Sequence, residues 1–357
     1  MRFIVFTRTH WSEPPRLRRQ VSELLLRHGH EVHFFEKRRF GRRTNSVKEG
    51  DRLWRHIGPH LLHHQLKIFG PTNGLDARFL SWIFRKQVDF SEDDIVLSFC
   101  YDFFFLRDLL PRNTIIHVVN DDYISAAIRP HKASAKRLLE TSSRRADHNL
   151  VVSYLIEEQV RVATDKVSLF FPWARHNYAR PAAGKDRTEV LYWGYINERI
   201  DRQLVTGVMD AGITVNFVGN VIDSPDTRAI LAHENASYHG PSPLEDIADV
   251  RDKCCAAIIP YDITNPYVPA VTISNRGFEL LSFGFPLIFS DLPRLLEAPD
   301  GLIRRSTDLT QFIRAIDESR SRFDELQPTI EEFLSEHTPD SRYAQLMTVI
   351  ENARNAH

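Results

Sequence analysis

The sequence predicts an α/β protein built from two successive parallel-sheet units. Three observations carry this expectation. The chain has 357 residues, more than one hydrophobic core usually serves. Short apolar runs alternate with amphipathic helical stretches along its whole length, the pattern of parallel strands wrapped by helices. A stretch poor in apolar residues, PWARHNYARPAAGKDRT, interrupts that rhythm near residue 180 and reads as a linker.

In the first unit strands are expected at 2–7 (RFIVFT), 31–36, 95–99, 114–119 and 149–152. The helix after the first strand is well marked. Pro14 and Pro15 suit a first turn, Leu17, Val21, Leu24 and Leu25 supply the apolar period, and Gly29 stops it. Residues 37–92, with aromatic and histidine clusters such as HLLHHQLKIF, give no readable strand pattern. In the second unit strands are expected at 189–193, 214–219, 237–239, 256–260, 286–290 and 301–304, and a final helix at 341–354 from the period of Tyr343, Leu346, Met347 and Ile350.

Composition narrows the classes. Apolar residues make up 42% and charged residues 26%, the balance of a globular protein. The three cysteines, Cys100, Cys254 and Cys255, offer neither a disulfide framework nor zinc spacing, so a reducing, cytoplasmic setting is expected. No apolar run is long enough to span a membrane, and the apolar start is too short for a signal peptide. The net charge of −1 hides an asymmetry: residues 1–175 hold 29 Lys and Arg against 20 Asp and Glu, and the remainder 17 against 27. The basic residues Arg16, Arg18, Arg19, Lys37, Arg38, Arg39, Arg42 and Arg43 suggest either peripheral contact with an anionic membrane face or a solvated surface. They lack interleaved aromatics, so nucleic acid is not expected as a partner. P-loop, G-x-G-x-x-G and G-x-S-x-G motifs are absent, which removes the main support for ATPase, dinucleotide oxidoreductase and serine hydrolase readings.

Ligands of open parallel sheets bind beyond the carboxyl ends of the strands. After the strand ending at Pro260 come Tyr261 and then Ser274 and Asn275, good helix-capping residues. The free N–H groups of such a helix start suit a phosphate, and Glu279 lies one turn further on, placed to accept hydrogen bonds from a ribose. The stretch 274–291, SNRGFELLSFGFPLIFSD, resembles the donor-binding segment of GT-B glycosyltransferases, particularly family 4 and related bacterial surface-polysaccharide enzymes. YWGYINERID, VNFVGN, YHGPSPLEDI and AAIIPYD are similar to the family's other donor-side segments, in family order.

The resemblance implies the GT-B fold: two Rossmann-like domains facing each other across a cleft. An acceptor-binding domain would span 1–178 and a donor-binding domain 179–338, with a helix at 339–357 packing back on the first. It implies transfer of a sugar from a UDP- or GDP-sugar to a saccharide or lipid-linked acceptor, in exopolysaccharide, capsule or lipopolysaccharide synthesis, with no cofactor or metal. A sugar-nucleotide 2-epimerase of the same fold and a non-catalytic nucleotide-sugar-binding module are the alternatives.

The implied donor residues are Glu279 at the ribose, Ser274 and Asn275 at the helix terminus, Gly194 and Gly219 where a diphosphate approaches backbone, and Tyr261 beside the base. Gly240 would add a backbone contact to the base. Arg276 contacts the diphosphate or lies in solvent; Arg199 and Arg202 neutralise the leaving group or flank an exposed helix. Retaining family members usually place another Glu eight residues before the ribose-binding one. Here that position is Val271, so sugar contacts fall to Tyr267 or Thr272, and retention or inversion stays open. An inverting reaction needs a base for the acceptor hydroxyl. Asp122 and Asp121 follow the strand at 114–119 and rank first, as bases or as helix caps. His10 and Glu13, after the first strand, come next, with Trp11 as a sugar platform or a packed loop residue. His63 and His64 show no acid partner at metal-ligand spacing.

Overall fold

The computed structural model describes residues 1–13, 16–38, 41, 43–60, 70–266 and 268–356. Pro14, Pro15, Arg39, Arg42, His63, His64 and Tyr267 lie outside these residues. Contacts divide the chain into two units, Met1–Phe171 with Pro339–His357, and Pro172–Thr338.

Unit 1 begins with β1 (Arg2–Phe6), α1 (Leu17–Arg27) and β2 (Glu31–Phe35). Leu17, Val21, Leu24 and Leu25 of α1 are buried, as their period requires. The helix stops because the amide of His30 closes back on the carbonyl of Leu25 at 3.1 Å. The stretch that gave no strand pattern holds β3 (Asn45–Glu49), β4 (Leu53–Ile57) and α2 (Gly70–Gln87). β3 escaped notice because every residue of NSVKE is exposed, so no apolar alternation marks it. Then follow β5 (Ile95–Ser98), α3 (Leu106–Leu109), β6 (Thr114–Val119), α4 (Lys132–Arg145), β7 (His148–Val151), α5 (Tyr154–Arg161) and β8 (Val167–Leu169). The sheet runs β3-β4-β2-β1-β5-β6-β7-β8, parallel except for the β3–β4 pair. Phe84 of α2 packs on Phe6 and Phe35 with ring centroids 4.8 and 5.0 Å away. Each such burial contributes roughly 1.5–3 kcal/mol and ties α2 to the central strands.

Unit 2 contains β9 (Glu189–Trp193), α6 (Arg202–Asp210), β10 (Val215–Val218), α7 (Pro225–Leu231), β11 (Ala236–Tyr238), α8 (Ala248–Arg251) and β12 (Cys254–Ile259). It continues with α9 (Asn275–Ser282), β13 (Leu287–Ser290), β14 (Ile303–Ser306), α10 (Leu309–Ser321) and α11 (Phe323–Ser335). Side-chain caps begin α6 (Asp201), α7 (Ser224) and α10 (Asp308). All pairings in the sheet β11-β10-β9-β12-β13-β14 are parallel. This order reverses beside its first strand, as in dinucleotide-binding sheets.

The last helix, α12 (Pro339–Asn355), belongs to unit 1. Leu346, Ile350 and Ala353 are buried, Tyr343 stacks on His28 at 3.6 Å, and Gln345 donates to the Leu169 carbonyl at 2.6 Å. Its packing on the first unit is thus carried by a hydrophobic stripe and by capping of strand-end carbonyls. No helix among the described residues is long and apolar enough to cross a membrane.

Candidate functional site

The strand order of unit 2 reverses between β9 and β12, so the loops after these strands flank the crevice where such sheets take ligands. Gly194 follows β9 and Gly219 follows β10, with φ of +142° and +147°, a region open to glycine alone. A Cβ on Gly219 would strike the Gly194 carbonyl, and one on Gly194 would lie 2.5 Å from Arg276 Nη1. The two turns are therefore pressed together, with the Arg276 guanidinium directly against the first.

Arg276 stands in the first turn of α9. Its Nη2 donates to Tyr261 Oη at 2.7 Å, and Nη1 to the Trp193 carbonyl at 3.2 Å and Tyr192 Oη at 3.3 Å. The guanidinium lies 5.2 and 5.3 Å from the Tyr192 and Tyr261 ring centroids. Burial works to lower its pKa, but the two tyrosine oxygens outweigh it and the net shift is upward. The result is a fixed cation with neutral partners and no carboxylate among the described residues. Ser274 caps α9 without a side-chain hydrogen bond, and Asn275 opens the helix behind it.

Glu279 is only 3% exposed. Its Oε1 accepts the Arg175 backbone N–H at 2.8 Å and faces Arg175 Nε at 3.4 Å. Oε2 lies 3.5 Å from His176 Nδ1 and, although buried, has no hydrogen-bond partner among the described residues. Ser282 Oγ donates to the His176 carbonyl at 2.6 Å, so α9 holds the 175–176 segment against the carboxylate. The Tyr178 hydroxyl is pushed up by burial and by the carboxylates of Glu279 and Glu245. A buried carboxylate oxygen left unpaired is costly, and a vicinal diol is a donor that fits it.

The other expected donor residues are more dispersed. The Arg199 carbonyl accepts from Asp262 N at 2.8 Å and ties its loop to that of Tyr261. Arg202 is exposed and paired with Asp226 of α7 at 3.0 Å, on the outer flank of α6. Thr272 is buried, its carbonyl accepting from Leu296 N at 3.2 Å. Gly240 accepts from Gly219 N at 2.9 Å and props the glycine turns from the far side.

In unit 1 the order reverses between β1 and β5. Asp102, after β5, is fully buried and ion-paired with Arg8, after β1. Burial works to lower the Arg8 pKa, but Asp102 outweighs it and the shift is upward. The guanidinium sits 5.3 Å from the Tyr101 ring centroid, and Tyr101 stacks on Tyr123 at 4.5 Å. Burial raises both hydroxyls to about 12.

Next to this pair, His10 Nδ1 lies 3.0 Å from Glu36 Oε2, and Glu36 Oε1 accepts from Arg55 Nε at 2.6 Å. An ionised carboxylate only accepts, so in the neutral imidazole the Nδ1 that faces Glu36 carries the proton and Nε2 the lone pair. That Nε2 is buried with no partner among the described residues. Glu13 accepts from the His10 backbone N–H at 3.0 Å and fixes the loop. Trp11 packs edge-on against Phe34 at 5.0 Å under Arg19, in the packed rather than the sugar-facing role.

Asp122 Oδ1 accepts from Ile124 N, Ser125 N and Gln159 Nε2 at 3.0–3.3 Å. Asp121 is exposed and accepts from Asp122 N at 3.0 Å. These two carboxylates organise the turn after β6. The basic cluster is not one solvated patch: Arg18 and Arg38 are buried, and Arg38 lies 4.4 Å from the Phe84 ring centroid. A sequence pattern of cations says nothing of which face each side chain takes. The residues missed in the sequence, Glu36 and Asp102, both stand just after strands. Applying the post-strand rule to every strand, rather than to those with recognised motifs, finds them.

No family model matches the chain, and no curated protein matches its sequence. Solved structures do match over essentially the whole length. Sucrose-phosphate synthase from Thermosynechococcus elongatus shares 12% identity over 100% of both chains, with a TM-score of 0.67. The E. coli trehalose-6-phosphate structure bound with UDP-2-fluoro glucose shares 10% over 98% of this chain and 99% of its own, with a TM-score of 0.66. An α,α-trehalose-phosphate synthase (UDP-forming) from Burkholderia vietnamiensis shares 10% over 98% and 96%, with a TM-score of 0.61. The fold is therefore GT-B, a class of paired Rossmann-like α/β units.

Proposed function

We propose that this chain is a glycosyltransferase that moves a sugar from a nucleoside-diphosphate sugar to a hydroxyl acceptor. The observation that carries the proposal is Arg276, a cation held by neutral tyrosine oxygens against the Gly194 turn of unit 2. A diphosphate seated on these glycine turns gains charge as its bond to the sugar breaks, and a preorganised guanidinium stabilises that charge. Glu279 Oε2 takes a ribose hydroxyl, and Tyr261 borders the base. Arg199, Ser274, Asn275 and Thr272 line the remaining donor positions.

His10 is the acceptor's base in this reading. The acceptor oxygen bonds to the anomeric carbon, the bond from that carbon to the diphosphate breaks, and the hydroxyl proton passes to His10 Nε2. Glu36 holds the imidazole in the required tautomer and stabilises the imidazolium. With Val271 where retaining relatives carry an acid, direct displacement with inversion fits these residues better than retention. UDP is the preferred donor nucleotide, since the E. coli neighbour was solved with a UDP sugar and the Burkholderia neighbour is UDP-forming. A saccharide or lipid-linked acceptor in polysaccharide assembly remains the proposed substrate class.

A thermal-shift screen with UDP, GDP, dTDP and CMP tests the donor site, because a bound nucleotide raises the midpoint according to its affinity. UDP should shift the wild type, and Glu279→Ala should weaken that affinity by more than about tenfold. An unchanged affinity sinks the ribose assignment. UDP release that requires an acceptor supports transfer, a new sugar nucleotide supports epimerisation, and binding without turnover supports a non-catalytic module.

A further inference from the structure

Helix α2 has two faces of different kind. Asn73, Ala77, Leu80, Ile83 and Phe84 are buried against the unit 1 sheet. At about 100° per residue, Leu75, Phe79 and Trp82 fall on the opposite side, in roughly one 120° arc with Arg78, Arg85 and Lys86. Leu75 is 61% and Trp82 54% exposed, while Phe79 is half-buried with its ring 6.2 Å from that of Trp82. Lys86 Nζ lies 3.9 Å from the Trp82 ring centroid.

Several cations of unit 1 are held by acidic partners, and those of this arc are not. Arg112, Arg145 and Arg161 are paired with Glu92, Asp108 and Glu157. Arg78, Arg85 and Lys86 have no carboxylate partner among the described residues, and the arc itself contains no acid. Exposed leucine and indole interleaved with unpaired cations on one helical face match the interfacial layer of a lipid bilayer, where apolar groups enter the headgroup region and cations meet phosphates.

We propose that this face of α2 seats the protein on an anionic lipid surface, with Leu75 and Trp82 among the headgroups and Arg78, Arg85 and Lys86 on lipid phosphates. It does so independently of the donor site and of the basic cluster at 16–43.

The full chain, spun with phosphatidylcholine vesicles and with vesicles containing about one-third phosphatidylglycerol, should pellet only with the latter. Raising the salt to about 0.5 M should cut that binding by about tenfold or more. The double variant L75S/W82S and, separately, the triple variant R78E/R85E/K86E should stay in the supernatant while keeping the wild-type thermal midpoint. Failure of the wild type to pellet with anionic vesicles overturns the proposal, as does L75S/W82S pelleting like the wild type. Self-association that W82S abolishes, with no vesicle binding, would assign the face to a second copy of the chain instead.

Discussion

At the switch point of the first sheet a partly buried guanidinium meets a buried carboxylate, Arg8 against Asp102. At the switch point of the second a guanidinium meets only tyrosine oxygens, Arg276 against Tyr192 and Tyr261, and lies on a glycine. Both sheets reverse strand order at this place, so topology offers each a crevice. Side-chain chemistry then separates them. In the first the cation is neutralised by its own carboxylate; in the second it has no carboxylate partner among the described residues and stands beside glycine. Beside that pair, His10 after β1 meets Glu36 after β2.

Four experiments bear on this contrast, the largest expected effect first. His10→Ala should lower turnover by about 10²–10⁴ while nucleotide affinity stays at the wild-type value, and Glu36→Gln should lower turnover by less. Full activity in His10→Ala would return the base to Asp122 or Asp121. Asp102→Asn leaves the partly buried Arg8 without its counter-charge and should cost about 3 kcal/mol in denaturant unfolding of unit 1, with no change in nucleotide affinity. Arg276→Ala should do the reverse, weakening UDP binding by about 100-fold by titration calorimetry for a stability cost of about 1–2 kcal/mol. Equal effects of these two variants on binding would erase the distinction between the switch points.

The smallest expected effect is on pH. Burial pushes His30, His33, His56, His117 and His148 below the ordinary histidine value, His56 to about 3 and His117 to about 4. All five belong to unit 1. The unfolded chain binds protons at these sites before the folded one does, so their stabilising contribution is present above about pH 6.5 and is lost as pH falls toward the folded values. Unit 1 should therefore melt first when thermal unfolding is followed between about pH 7 and pH 4. Loss of unit 2 first would place the acid-sensitive groups elsewhere.

The residues proposed for the donor side stand out in the sequence because their features are local. Ser274, Asn275, Glu279 and Gly284 lie within one helix and its ends, and a strand followed by glycine marks Gly194 and Gly219. What was hidden depends on distant partners. Arg276 takes its partners, Tyr192, Trp193 and Tyr261, from the ends of two strands that precede its own helix in sequence. Glu279 meets Arg175 across 104 positions, and nothing in either segment announces the other. Asp122 reads equally as base or cap: its Oδ1 accepts the amides of Ile124 and Ser125, while its buried Oδ2 has no hydrogen-bond partner among the described residues.

The sequence by itself determined the alternation of strands and helices, the two-unit division and the residues at strand ends, since periodicity and turn chemistry act over a few residues. Only the tertiary structure decided which strand-end residues meet. It paired His10 with Glu36 and Arg8 with Asp102, left Arg276 without a carboxylate, and turned half of α2 outward. The physical reason is that a charge takes its meaning from its partner and its burial, and both are set by strand order.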